Sequence, residues 1–201
     1  MAFSDFSFDD LESRFGVRNR VGQLFSGNEK LEPGAKLTDA LNLAKELPVR
    51  SEKAKSELLV LPILLELRSR NDKFFTIYSG DILNADKEKG LVGECDFILA
   101  KDTGSFAINY PIIQLVEAKR NDIDEGLRQC AAQLIGARLF NEKKGIVLPK
   151  LYGCATTGDD WQFLVLENDL TVDSQKYYLN DVGRLLAVFQ TIVDYCKQQL
   201  P

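Results

Sequence analysis

Between Tyr110 and Phe140 the sequence YPIIQLVEAKRNDIDEGLRQCAAQLIGARLF changes its period, and that change restricts the fold. The segment from Ile112 to Val116 is a nearly continuous apolar run of strand length, the pattern of a buried strand. From Asp122 onward, Ile123, Leu127, Cys130, Ala131 and Leu134 fall on one helical face. A buried strand that leads into a helix with one apolar face belongs to a layered α/β arrangement. Yet this strand ends on Glu117 and Lys119, two charges placed where burial makes charge expensive.

The surrounding sequence supplies the other layers. LTDALNLAKEL spaces Leu37, Ala40, Leu41, Ala44 and Leu47 at helical intervals, with Thr38 or Asp39 as the expected cap. A second helix, from about Ser51 to Ser69, is apolar on nearly every side between Leu58 and Leu67, and Pro62 marks a kink or an irregular turn in it. FFTIYSG, LVGECDFILA and SFAINYPIIQLVEA read as three strands, the last two joined by a hairpin turn at Asp102 to Ser105. KLYGCATT and WQFLVLEN add two more, joined at Gly158 to Asp160, with Trp161 expected at a sheet edge, and an amphipathic helix closes the chain. The expected fold class is α/β, three layers with a central mixed sheet. Residues 1–50 read as an amino-terminal helical extension and residues 51–201 as the main domain.

Among its 201 residues the chain has no histidine, which excludes Ser-His-Asp and Cys-His hydrolases, His-containing zinc sites and histidine-based nucleases. No phosphate loop of the Gly-x-x-x-x-Gly-Lys-Ser/Thr type and no Gly-x-Gly-x-x-Gly turn is present. Hydrolytic chemistry must therefore rest on carboxylates, lysine and a hard cation. The four cysteines form no Cys-x-x-Cys pair and read as buried free thiols of a cytoplasmic protein. A net charge of −5 argues against nucleic-acid binding over the whole surface but leaves room for a local basic cleft, for which Arg120, Arg128, Arg138, Lys143 and Lys144 are candidates. No apolar run reaches the roughly 18 residues of a spanning helix, so no membrane partner is expected.

Strand alternation puts Leu91, Cys95, Phe97 and Leu99 on one face and Glu94, Asp96 and Ile98 on the other; in the next strand Ile113, Leu115, Glu117 and Lys119 share a face. If those strands pair, Asp96 approaches Glu117. A Glu-x-Lys pair by itself is ordinarily a solvated salt bridge. Here it follows a core strand, faces a mid-strand aspartate and precedes a helix carrying Gln129 and Gln133, and together these make a metal-assisted hydrolysis site.

GECD with Asp96, then VEAK with Glu117 and Lys119 some twenty residues on, resembles the PD-(D/E)XK nuclease superfamily, and the layout is similar to the amino-terminal nuclease domain of type I restriction subunits. Cys95 stands where that family has its proline. The resemblance implies a restriction-endonuclease-like fold and a Mg²⁺-dependent (or Mn²⁺-dependent) endonuclease acting on DNA. Asp96 and Glu117 would ligate the metal, Lys119 would orient water, and Gln133 would contact the water or the backbone, with Gln129 as its rival. Glu57 would be the carboxylate of the preceding helix, with Glu66 as its competitor. The alternative is a catalytically inactive nuclease-fold protein acting as a DNA-binding or regulatory partner, as a homodimer or within a larger complex.

Overall fold

The computed structural model describes residues 2–27, 29–104, 107–119 and 121–200. In chain order the longer elements are α1 (Phe8–Phe15), β1 (Asn19–Gly22), α2 (Ala35–Lys45), α3 (Glu52–Lys55), a π-helical turn (Ser56–Val60), α4 (Leu61–Arg70), β2 (Phe75–Asp86), β3 (Leu91–Lys101), β4 (Ile112–Ala118), α5 (Ile123–Lys143), β5 (Leu151–Thr156), β6 (Asp160–Leu166), β7 (Leu170–Asp173), β8 (Tyr177–Tyr178) and α6 (Val182–Gln199). The strands form one mixed sheet ordered β1-β7-β6-β5-β4-β3-β2, with β8 pairing β6. Parallel pairs at β1–β7 and β4–β5 join antiparallel ones elsewhere.

Two apolar cores cover the two faces of this sheet. Leu127, Cys130, Ala131 and Leu134 of α5 pack on one with Leu115 and Leu164; Ile63 and Leu67 of α4 and Leu186 and Phe189 of α6 pack on the other with Val116 and Phe163. The protein is thus α/β, a mixed sheet with helices on both faces. All four cysteines are buried and free, and burial pushes their thiol pKa values up. Among the described residues no helix is long and apolar enough to cross a membrane.

The described part of residues 1–50 packs into this architecture. Phe3, Phe6, Leu11 and Val17 are buried in the α5 core, Phe25 and Leu37 in the α4–α6 core, and β1 extends the sheet beside β7. Phe3 sits between Gly93 of β3 and Gly136 of α5, where an added Cβ would come within 3.1 Å and 2.9 Å of its ring. The missing side chains make the space that the phenyl ring fills. Phe3→Ala is therefore expected to cost about 3–5 kcal/mol, read as a lower urea midpoint with an unchanged slope. A loss below 1 kcal/mol would mean that the amino-terminal segment does not clamp α5 to β3.

Several local expectations change. The cap of α2 is Gly34, and Thr38 lies inside the helix donating to the Gly34 carbonyl at 3.1 Å. The hairpin between β3 and β4 is wider than a turn at Asp102 to Ser105, since β4 begins only at Ile112 after a cis Tyr110–Pro111 bond, and Ser105 lies outside the described residues. Trp161 is on an interior strand, fully buried, donating from Nε1 to the Gly158 carbonyl at 3.0 Å and meeting Phe189 edge-on. Leu65 is exposed, so the α4 rod is open on one side rather than buried all round.

Candidate active site

The cluster forms where β3 and β4 part. Their ladder ends at Phe97 paired with Val116. Beyond that point the Asp96 carboxylate takes over from the backbone, accepting the Ala118 N–H at 2.7 Å. On its other edge β4 stays paired with β5 through Glu117–Ala155 and Ala118–Thr156, and the Lys119 N–H donates to the Thr156 carbonyl at 2.8 Å. Glu117 and Lys119 are thus fixed by β5 while the β3 side opens.

Neither strand alternates as its sequence suggests, and both deviations serve the site. In β3, Leu91 and Cys95 face the α5 core whereas Phe97 and Leu99 face the α4–α6 core, so the strand turns over at Asp96. Gly80, with φ +71°, lies in β2 between the residues paired with Cys95 and Phe97 and takes the backbone bend that goes with it. In β4 a bulge opposite Leu99 and Ala100 leaves Ile113 on the α4–α6 side but turns Leu115 toward α5, and Glu117 with it. The shared face expected for Ile113, Leu115 and Glu117 is therefore broken after Ile113.

Glu117 is almost wholly buried. Its Oε2 accepts from Gln133 Nε2 at 2.7 Å and its Oε1 lies 3.1 Å from Lys119 Nζ. Burial first, then the Asp96 charge, push its carboxyl pKa up to about 8, against the pull of Lys119 and Gln133. Burial raises Asp96 as well, opposed by the Ala118 hydrogen bond and by Lys119. The Lys119 ammonium is held above its ordinary range: desolvation pulls it down, and the Glu117 charge and hydrogen bond outweigh that pull. The group is short of positive charge, with two carboxylates sharing one ammonium inside an apolar wall that includes Cys95 and Cys130.

α5 brings the amide. Asp122 caps it, accepting from the N–H groups of Asp124 and Glu125 at 2.9 and 3.1 Å, and Glu125 in its first turn reaches within 4.0 Å of Lys119 Nζ. Gln133 is fully buried, and its Oε1 has no hydrogen-bond partner among the described residues; the same is true of Gln129 Oε1.

Glu57 is not brought into the cluster. Its side chain is 59% exposed and lies 3.9 Å from Lys53 Nζ. The carboxylate of that helix whose charge acts on both Asp96 and Lys119 is Glu52. Glu57 follows Glu52 by five residues and so lies about 140° round the helix axis from it, on another face; the π-helical turn, in which Leu61 N–H donates to Ser56 O, shifts only the residues after it. Pro62, which lacks the N–H for an α-turn, comes one residue later, after Leu61. Ser51 accepting from Ala54 N–H, with a carboxylate next to it, was the available sign of Glu52. Glu66 is occupied elsewhere, by Gly34 N–H at 3.0 Å and Arg70 Nε at 2.7 Å. Of the basic rim, Arg138 is tied to the Glu167 carbonyl and Lys143 to that of Ala85, toward the far end of α5; Arg120 lies outside the described residues.

The donor set is two hard carboxylates with excess negative charge. Among the described residues no three Asp, Glu or Cys side chains converge as a full protein cage for a metal would. Mg²⁺ does not require one, because it is commonly bound through one or two carboxylates completed by waters and substrate phosphates. Asp96 and Glu117 fit that requirement, and an added cation would offset both the burial and the Asp96 charge that raise the Glu117 pKa. Compared with known proteins, the sequence matches no family model and no curated protein.

Proposed function

We propose that this protein is a metal-dependent nuclease with a restriction-endonuclease-like fold, hydrolysing DNA phosphodiester bonds. The observation that carries the reading is the convergence of Asp96, Glu117, Lys119 and Gln133 at the point where β3 and β4 separate. In this reading Asp96 and Glu117 hold Mg²⁺ or Mn²⁺, which supplies Lewis-acid polarisation of a phosphoryl oxygen and lowers the pKa of water. Lys119 puts a largely desolvated ammonium beside that position, where it steadies negative charge growing on the phosphate and hydrogen-bonds the attacking water. Gln133 locks the Glu117 rotamer through Nε2, so that the carboxylate need not reorganise during reaction. Glu52 adds a further negative charge at the rim, in place of the role expected of Glu57.

Incubating supercoiled plasmid and single-stranded DNA with the protein in Mg²⁺, in Mn²⁺ and in EDTA tests this reading. Cleavage should require the metal and be lost in Asp96→Ala. Cleavage that survives Asp96→Ala would end the assignment of this site. DNA binding without any cleavage would instead favour the non-catalytic nuclease-fold protein.

A further inference from the structure

At the far end of β4 from Glu117 lies a pocket of about 510 Å³, within the size range of ligand sites. Most of β4, from Ile112 to Glu117, separates it from the carboxylate cluster, about 16 Å at the usual rise of a strand. Two segments build it, the loop that enters β4 and the end of α5, and Asn141 ties them together. It accepts the Ile112 N–H at 2.8 Å and donates to the Ile112 carbonyl at 2.8 Å. That clamp sets Tyr110 beside Phe140 and Lys144, whose ammonium lies 5.4 Å from the centre of the Tyr110 ring and 6.0 Å from that of Phe140. Ile82 and Ile108 add apolar wall, and among the described residues no carboxylate lines the pocket.

The floor of this pocket holds an unsatisfied donor. Asn109 lines it and is only 3% exposed. Its backbone N–H donates to Tyr78 Oη at 3.0 Å, and Tyr78 in turn donates to the Ala107 carbonyl at 2.7 Å. Its Oδ1 accepts from Thr103 Oγ1 at 2.5 Å, which leaves Nδ2 as the spare end of the amide, without a hydrogen-bond partner among the described residues. A buried donor left unpaired is costly, so an acceptor that reaches it gains more than an exposed hydrogen bond would give. We infer that this pocket binds a nucleotide with a keto base, an inference that takes from the nuclease reading only the expectation that the chain meets nucleotides. Such a molecule carries the three complements of the pocket: a flat ring to stack on the exposed Tyr110, a carbonyl oxygen in the plane of that ring to accept from Asn109 Nδ2, and a phosphate for Lys144. Adenine is the base without a ring carbonyl. The pocket therefore discriminates against it, although its ring stacks as readily. The same chemistry belongs to a free nucleotide and to a nucleotide within a DNA strand.

The test is an NMR titration read at the Asn109 side-chain amide, with dTMP, dAMP, oligothymidylate and oligoadenylate, in EDTA so that binding is read without cleavage. A shift of that amide with dTMP assigns the pocket to free nucleotides; a shift with oligothymidylate alone assigns it to a nucleotide of a strand. The thymine ligand that binds should do so at least about tenfold more tightly than its adenine counterpart, the worth of one buried hydrogen bond made against one left unmade. Tyr110→Ala, which removes an exposed ring and leaves the core untouched, should weaken binding about tenfold. Lys144→Ala should lower the slope of log K against log salt by about 0.7. No shift at Asn109 with either thymine ligand, equal affinity for the adenine ligands, or unchanged affinity in Tyr110→Ala overturns the inference. Cleavage by a protein whose Asn109 answers no nucleotide sinks the pocket and leaves the nuclease; an Asn109 response with no cleavage in Mg²⁺ or Mn²⁺ does the reverse.

Discussion

Lys119→Ala should lower metal-dependent DNA cleavage by about 10²–10³-fold, the usual cost of removing one preorganised charge stabiliser from a water-poor site. The Lys119 side chain is only 12% exposed and its ammonium lies 3.1 Å from Glu117, so its position is set before substrate arrives. Lys119→Arg is expected to recover little, because a planar guanidinium on this short tether cannot occupy the place of a compact ammonium beside Glu117. The alanine variant should remain folded: the Glu117 carboxyl, already pushed up to about 8 by burial and by Asp96, holds its proton more firmly once the ammonium is gone and leaves no unpaired charge in the apolar wall. A thermal melt beside the cleavage assay separates lost chemistry from lost fold. Activity within threefold of wild type in a folded Lys119→Ala protein would remove this residue from the mechanism.

The parts of this arrangement that the sequence discloses are those fixed by short-range periodicity. The apolar stripe Ile123, Leu127, Cys130, Ala131 and Leu134 depends on nothing but helix geometry, and all five side chains are buried. Asp96, Glu117 and Lys119 stand out because ionisable side chains interrupt apolar strands, a cost that physical chemistry lets one see in a bare sequence. What escaped depends on irregular backbone. The turn-over at Asp96 and the bulge after Ile113 reverse the side-chain faces without a strong local signature, so simple alternation assigned Phe97 and Ile113 to the wrong neighbours. Glu52 and Glu57 are five residues apart and lie on different faces of the helix, and which of them meets the cluster depends on how the helix docks, which the sequence does not announce. The pairing of β1 with β7 joins residues about 150 positions apart, and a four-residue strand such as Asn19–Gly22 has too short a pattern to announce so distant a partner.

The metal-free protein should become less stable as pH rises from about 5 to about 8.5, against the common expectation for a protein with acid-labile salt bridges. The sign follows from Glu117. Its unfolded value is near 4.5 and its folded value is pushed up to about 8 by burial and by Asp96. The folded state therefore holds a proton that the unfolded state has released across that window, and the associated stability is complete below the unfolded value and lost as pH climbs through the folded one. Asp96, raised by its own burial, acts in the same direction. Lys119, raised from 10.5, keeps its contribution throughout and loses it only in stronger alkali. With each pKa unit worth about 1.4 kcal/mol, the loss is of the order of a few kcal/mol, or about 10 °C in melting temperature for a chain of this length. Differential scanning fluorimetry in EDTA at the two pH values reads it directly. Glu117→Gln should flatten the dependence and melt higher than wild type at pH 8.5, because an amide keeps the hydrogen bond with Gln133 without the buried charge. Millimolar Mg²⁺ should restore wild-type stability at pH 8.5 and do little for Glu117→Gln, since a cation held by Asp96 and Glu117 would compensate the buried charge that the proton otherwise neutralises. A wild-type melting temperature that holds or rises between pH 5 and 8.5 in EDTA would show that Glu117 is not held protonated by its burial and by Asp96, and the charge argument for a cation at this site would go with it.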